Sequence, residues 1–90
     1  MEQIWESENR PLSLDVSIIC KGKSVFRVTA SDSKPNSKYA DRTIEVDGSR
    51  SIFLSFPVTP KQLKIKVECV RGAGKDENYI VNVKERDRKS

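Results

Sequence analysis

Apolar and polar residues alternate with a period of two along most of this chain. From residue 12 to residue 20 every second residue is apolar: Leu12, Leu14, Val16, Ile18 and Cys20. Serine or aspartate occupies three of the four positions between them. Period two places successive side chains on opposite faces of an extended strand, so one face is buried and the other meets solvent. The pattern predicts a half-buried β-strand and, because it recurs, an all-β fold.

The same alternation predicts five further strands. Their inward-facing sets are Phe26, Val28 and Ala30; Ile44 and Val46; Ile52, Leu54 and Phe56; Leu63, Ile65, Val67 and Cys69; and Tyr79, Val81 and Val83. A seventh short strand fits around Ile4-Trp5. No segment has apolar residues at helical spacing. Short strands at regular intervals are typical of a single small antiparallel β-sandwich, and a small OB-like barrel with the same alternation stays open as the alternative.

Turn signals separate the predicted strands. Lys21-Gly22-Lys23 predicts a hairpin turn, since glycine adopts positive φ readily. Asp47-Gly48 is a strong hairpin signal and predicts a second reversal. Polar residues 31–41 predict an exposed connection, and 71–78 a glycine-containing loop. Pro57 and Pro60 are expected to end strand pairing, because proline has no N–H to donate.

Ninety residues make one small domain with a thin core. We divide it into an N-terminal arm (1–11), a β-sandwich domain (12–84) and a charged tail (85–90). No apolar run approaches the ~18 residues that span a bilayer, and the acidic start has no secretory h-region. A cytoplasmic location is expected, or whatever location its assembly imposes. Cys20 and Cys69 are then expected to be reduced and buried.

The composition argues against catalysis. The chain has no histidine, which removes the commonest general base, the Ser-His and Cys-His pairs and most metal sites. The sequence RGAGK (71–75) lacks the full spacing of a phosphate-binding loop and a following helix. Asp15, Glu45 and Glu68 fall on polar strand faces, as solvated carboxylates do. We expect no enzyme activity and assign no catalytic residue, no metal ligand and no cofactor.

Basic residues form the first candidate binding feature. Lys64 and Lys66 project from one side of a predicted strand, Lys61 precedes them, and Arg42 or Arg50 could lie nearby in the sheet. With a net charge of +4, such a strip suits phosphates or an acidic protein surface. Lysines also keep a solvent-facing strand soluble and discourage edge pairing, so the strip has a purely structural interpretation as well.

Aromatic residues form the second. Ile4 and Trp5 lie among acids in the N-terminal arm, where tryptophan either anchors a partner or folds back over an open end of the sandwich. Phe53, Tyr79 and Tyr39 could stack nucleic-acid bases beside the lysines if they were exposed together. A role in the core or in covering a sheet edge is the other interpretation of these three side chains.

The run of short strands and the segment SIFLSFPVTPKQLKIKVECV (51–70) resemble the small immunoglobulin-like β-sandwich modules of tailed-phage virions, of the capsid decoration or auxiliary type. The resemblance covers about residues 12–84 and has no diagnostic motif, since Trp5 does not lie between the two cysteines. It implies six or seven strands, a virion location and a non-catalytic module that docks on capsid subunits.

We therefore expect an interaction module that docks on a larger protein assembly through Ile4, Trp5, Arg42, Arg50, Lys61, Lys64 and Lys66. The alternative is a single-stranded nucleic-acid-binding β-barrel protein that uses Lys64, Lys66, Phe53 and Tyr79. Neither hypothesis involves a membrane or a small-molecule substrate.

Overall fold

A computed structural model describes residues 1–32, 38–72 and 79–86. All regular secondary structure in this part of the chain is antiparallel β-sheet, which confirms the all-β prediction. The strands are β1 (Glu2–Glu6), β2 (Leu12–Ser31), β3 (Lys38–Phe56), β4 (Gln62–Gly72) and β5 (Tyr79–Glu85). Their order is β1-β4-β2-β3, with β5 also paired to β2. The described strands do not close into a barrel, so the OB-like alternative is wrong.

Strand β2 is long enough to take part in two layers. Its first half pairs with β5 on one side and with the second half of β3 on the other. Its second half pairs with β4 and with the first half of β3. Layer A consists of the first half of β2, β5 and the second half of β3. Layer B consists of the second half of β2, β4 and the first half of β3, with β1 paired to β4.

A bulge joins the two layers. Ile19 lies opposite Ser49 and Lys23 lies opposite Asp47. Between these pairs, residues 20–22 of β2 face Gly48 alone on β3. Extra residues on one strand bend the pair and increase its twist without ending it. The strand pair thus passes from layer A to layer B without reversing direction.

The two predicted hairpins are therefore wrong, and five strands are found among the described residues instead of six or seven. Gly22 and Gly48 do adopt positive φ, at 76° and 82°. They lie near one another across the β2–β3 pair, where positive φ serves a bulge instead of a turn. Predicting each turn from its own few residues could not reveal this pairing.

The core lies between the layers and is built from the predicted inward-facing residues. Side chains with no exposed surface come from both halves of β2 and from its neighbours: Leu14, Val16, Ile18, Phe26, Val28, Ala30, Val46, Leu63, Ile65 and Val67. Trp5, Cys69, Tyr79 and Val81 are partly buried against this core. Both cysteines are free and Cys20 is buried, but Cys69 is only partly so, which corrects that expectation.

Two crossing segments close the end of the sandwich away from the bulge. Residues 7–11 lead from β1 to β2, and 57–61 lead from β3 to β4. The backbone N–H groups of Ser7 and Glu8 donate to Lys61 O over 3.1 and 3.0 Å, and Thr59 Oγ1 donates to Arg10 O over 2.6 Å. These bonds tie the segments together. The predicted end of pairing at Pro57 is confirmed, since β3 ends at Phe56.

Two glycines allow a direct test of backbone constraint. Gly72, at φ 108°, ends β4 so close to β2 that a Cβ atom would lie 2.5 Å from Lys23 O and 2.6 Å from Ser24 Cα. At Gly48, φ is 82° and nothing lies within 4 Å of that position. We expect Gly48→Ala to lower the free energy of unfolding by about 1 kcal/mol, and Gly72→Ala by more because a steric clash adds to the strain. Urea denaturation measures both, and equal losses would contradict the close approach.

Candidate docking surface

The described residues form surfaces and no deep cleft. The depression that stands out is open, has a volume of about 260 Å³ and is lined by Lys23, Ser24, Val25, Glu45, Arg71 and Gly72. Across residues 1–32, 38–72 and 79–86 no three histidine, cysteine or acidic side chains gather as metal ligands would. In the same ranges there is no helix with the length and apolarity needed to cross a membrane.

The outer face of layer B is a ladder of alternating charges. Strand β1 pairs with β4 so that Ile4 lies opposite Lys64 and Glu2 lies opposite Lys66. Lys64 Nζ lies 3.7 Å from Glu2 Oε2. The predicted basic strip is thus bordered by acidic side chains from β1, which weakens its attraction for an anionic partner.

A second charged cluster links β2 to β3 on this face. Arg27 donates to the two carboxylate oxygens of Asp41 over 3.0 and 2.7 Å, and Lys38 donates to Asp41 over 3.0 Å. Hydrogen bonds from Arg27 and then Lys38 hold the pKa of Asp41 well below its usual range. The hydrogen bond to Asp41 likewise raises the pKa of Arg27. This cluster links β2 to β3, and the Asp41 carboxylate neutralises one of its two positive charges.

The predicted partner-binding residues fall into two separate groups. Ile4, Lys64 and Lys66 share the outer face of layer B, as period two predicts. Lys61 lies at the nearby crossing, where its carbonyl accepts the bonds described above. Arg42 and Arg50 lie on β3, which is separated from β4 by β2.

Strand β3 is therefore not beside the lysines, and the expected continuous strip does not form. Arg50 instead donates to Glu45 O over 3.1 Å. A role in binding for any of these residues stays a prediction.

Trp5 points to the interior, away from Ile4. It is partly buried against the core, and its Nε1 atom is buried without a hydrogen-bond partner. Of the two interpretations of the arm, the structure shows the one in which tryptophan covers the sandwich. Ile4 on the opposite face is 58% exposed.

The three aromatic residues of the nucleic-acid hypothesis do not lie together. Phe53 is on the outer face of layer A, with the Arg86 guanidinium carbon 4.7 Å from its ring centre. Tyr79 packs edge-on against Phe26 with ring centres 5.0 Å apart. Tyr39 is near the start of β3 in layer B. No shared stacking surface arises from them.

Short side chains form two rows on the outer face of layer A. Across β2 and β3, Ser13 faces Ser55 and Ser17 faces Ser51, and Asn82 of β5 faces Ser17. The Oγ atoms of Ser17 and Ser51 are 3.1 Å apart. The neighbouring row on this face consists of Phe53, Asp15 and Lys84, so the Ser17 row lies between that row and the end of the face where Ile19 lies.

Two isoleucines rise from one end of this face. Ile19 of β2 lies directly opposite Ile80 of β5, and they are 54% and 66% exposed. Neighbouring cross-strand residues have Cβ atoms about 5 Å apart, so the two side chains form one apolar patch. Neither residue is among the candidates predicted from the sequence. Each is an apolar residue at an outward-facing position of its strand, and that departure from alternation was the available signal.

Comparisons with protein-family models, with curated proteins and with solved structures found no match to this chain.

The two sides of β1 allow a paired test of burial. We expect Trp5→Ala to lower the free energy of unfolding by about 2 kcal/mol, because it removes partly buried surface from the core. Ile4→Ala should change it by less than about 0.5 kcal/mol, as exposed positions do. Urea denaturation of both variants provides the measurement. A negligible effect of Trp5→Ala would show that β1 does not stabilise the sandwich.

The carboxylate of Asp41 predicts an acid-dependent loss of stability. Its folded-state pKa lies below the unfolded value of about 3.9, so its contribution is present above that pH and is lost as pH falls towards the folded value. Asp41→Asn should therefore unfold at lower urea than the natural protein at pH 7, with the gap narrowing below about pH 4. Added salt should narrow it too, since the cluster is exposed. A gap that is independent of pH would contradict this assignment.

Proposed function

We propose that this chain is a non-catalytic interaction module that docks on a larger protein assembly through the outer face of layer A. The observation that carries the proposal is the exposed Ile19–Ile80 pair at one end of a face whose other end carries Phe53 and the Asp15–Arg86 ion pair. When a partner covers neighbouring apolar side chains that are exposed to water, the free energy of the system falls. The pair is the anchor of the proposed contact.

A protein surface suits this face better than a small molecule or a phosphate chain. The serine rows supply hydroxyl groups for hydrogen bonds around the anchor. The net charge of +4 favours an acidic partner by long-range attraction. The proposed partner is therefore an assembly whose surface is apolar opposite the isoleucines and acidic around them.

The outer face of layer B is a poorer docking surface. Among the described residues it carries more ion pairs than layer A, where Asp15 pairs with Arg86. The ion pairs on layer B include Glu2 with Lys64 and Arg27 with Asp41. A partner that covered them would remove water from several ions and would have to replace that hydration. Ile4 is exposed on this face, but a lysine lies opposite it instead of a second apolar residue.

The resemblance to phage accessory modules makes a capsid lattice the specific form of this proposal, with the virion as its location. That form depends on size and strand pattern alone. Docking through layer A depends on the isoleucine pair and holds for any assembly with the stated surface.

The proposal predicts a surface-specific loss of assembly. A tagged chain produced in its natural host should sediment with a large protein particle. Ile19→Ser combined with Ile80→Ser should lower the bound fraction at least tenfold, because the anchor loses its apolar surface. Ile4→Ser is the matched control on the opposite face and should leave binding unchanged. Circular dichroism checks that all variants are folded.

The opposite pattern, with binding lost in Ile4→Ser and kept in the double variant, would overturn the choice of surface. If nuclease treatment released the chain from the particle while the double isoleucine variant stayed bound, the nucleic-acid alternative would be favoured. Sedimentation as a free small protein under all conditions would contradict docking altogether.

A further inference from the structure

Strand β3 is an edge strand along its whole length. It pairs with β2 on one side, and none of the described strands pairs with its other side. An edge exposes a row of backbone N–H and C=O groups that can bond another extended chain. The described strands have further edges at β1, at β5 and along residues 68–72 of β4, beyond the end of β1.

Charged residues lie along part of each exposed edge of the sheet. Glu2 and Glu6 lie on β1, and Lys84 and Glu85 lie at the end of β5, whose preceding residues 79–83 are uncharged. The first half of β3 is protected by Lys38, Asp41, Arg42, Glu45 and Asp47. Charges of this kind discourage edge-to-edge pairing, because a paired strand would bury or oppose them.

The segment Ser51–Phe56 has no such protection. Its sequence, SIFLSF, contains no charge, no proline and no glycine, and Arg50 and Pro57 flank it. Uncharged six-residue segments rich in β-branched and aromatic residues have the strongest tendency to pair as strands. Ile52 and Leu54 already belong to the core, and Phe53 is 45% exposed on the outer face.

We propose that Ser51–Phe56 pairs antiparallel with the same segment of a second copy of this chain, about a two-fold axis at Phe53. The pairing extends layer A into one sheet shared by two molecules. It uses the backbone edge of β3, whereas the isoleucine pair lies across β2 and β5. The side chains of Ser51 and Ser55 belong to both surfaces.

The segment is complementary to itself in this register. Phe53 lies opposite Phe53 of the second copy, Ser51 opposite Ser55, and Ile52 opposite Leu54. Residues of the same parity face each other, so the inward side chains of both copies stay on the core side. Aromatic cross-strand pairs stabilise a sheet, and serine pairs can exchange hydrogen bonds. No charge faces a like charge within the six residues.

Charge and size predict a weak dimer that depends on salt. Each chain carries a net charge of +4, so two copies repel each other except where the uncharged segment meets. Contacts this small fall below the roughly 1,200 Å² of stable interfaces, which predicts a dissociation constant on the order of tens of micromolar. Screening of the repulsion should tighten the dimer as salt is added.

Equilibrium sedimentation of the full chain tests the dimer directly. From about 5 to about 500 µM the average mass should rise from one chain towards two, and more steeply in high salt. Amide hydrogen exchange of the natural protein should slow with concentration at Ser51–Phe56 and not at β1. A monomer at all concentrations, or protection gained at another edge, would overturn the proposal.

Paired serine variants test the register. Ser51→Lys with Ser55→Lys sets like charges opposite each other at two places, and should weaken dimerisation at least tenfold. Ser51→Lys with Ser55→Glu sets opposite charges there and should retain the dimer. Both variants remove the same Ser17–Ser51 contact, so they are matched for that loss.

Gln62→Lys with Val70→Lys adds two lysines to the exposed face of β4 and controls for net charge. It should dimerise like the natural protein. Pairing at this register would be contradicted if the two serine variants weakened dimerisation equally. It would also be contradicted if the β4 control weakened dimerisation as much as the double-lysine variant does. If a serine variant is unfolded by circular dichroism, the hydrogen-exchange result on the natural protein decides.

Discussion

The structure depends on the continuous pairing of β2 with β3 through a bulge. A 20-residue strand and a 19-residue strand stay hydrogen-bonded on both sides of the bulge, and both change layer there. Because one strand pair supplies part of each layer, burial in layer A and burial in layer B are coupled. The core residues of β2 before and after the bulge then face a common interior. A chain of 90 residues gains its two-layer core in this way with few connections.

Because the interior between the two layers is filled, the outer faces and the strand edges are the parts that a partner can contact. Nearly every inward position among the described residues is filled by an apolar side chain. Parts of the surface differ in whether they carry ion pairs and in whether their strand edges carry charged side chains. The outer face of layer B carries several ion pairs and the first half of the β3 edge carries charged side chains, whereas the isoleucine pair and the segment Ser51–Phe56 have neither. The two proposals follow from that contrast.

The sequence predicted which residues are buried but not how the strands connect. Period two is a local property, so the inward sets around Leu14, Phe26 and Ile65 could be identified without knowing any partner strand. The glycine signals at Gly22 and Gly48 are also local, but their meaning depends on which residues lie across the sheet. A bulge and a hairpin both use positive φ. Only the register of β2 against β3 distinguishes them, and register is a non-local property.

The candidate site shows the same division. Alternation placed Lys64 and Lys66 on one face correctly, while the acidic residues beside them come from β1, whose pairing with β4 the sequence did not indicate. Ile19 and Ile80 are distant in sequence and meet only because β5 returns to the first half of β2. Each departs from alternation by itself, but the patch exists only in the folded sheet.

Cross-strand nuclear Overhauser effects in the isotope-labelled protein test the central claim most directly. A continuous, bulged β2–β3 pair predicts close backbone protons between Ile18 and Arg50 and also between Ser24 and Val46. Two separate hairpins would instead bring Cys20 close to Ser24 and Val46 close to Ser49, with no contact between Ile18 and Arg50. Observation of the hairpin set would contradict the two-layer architecture, and with it both proposed surfaces.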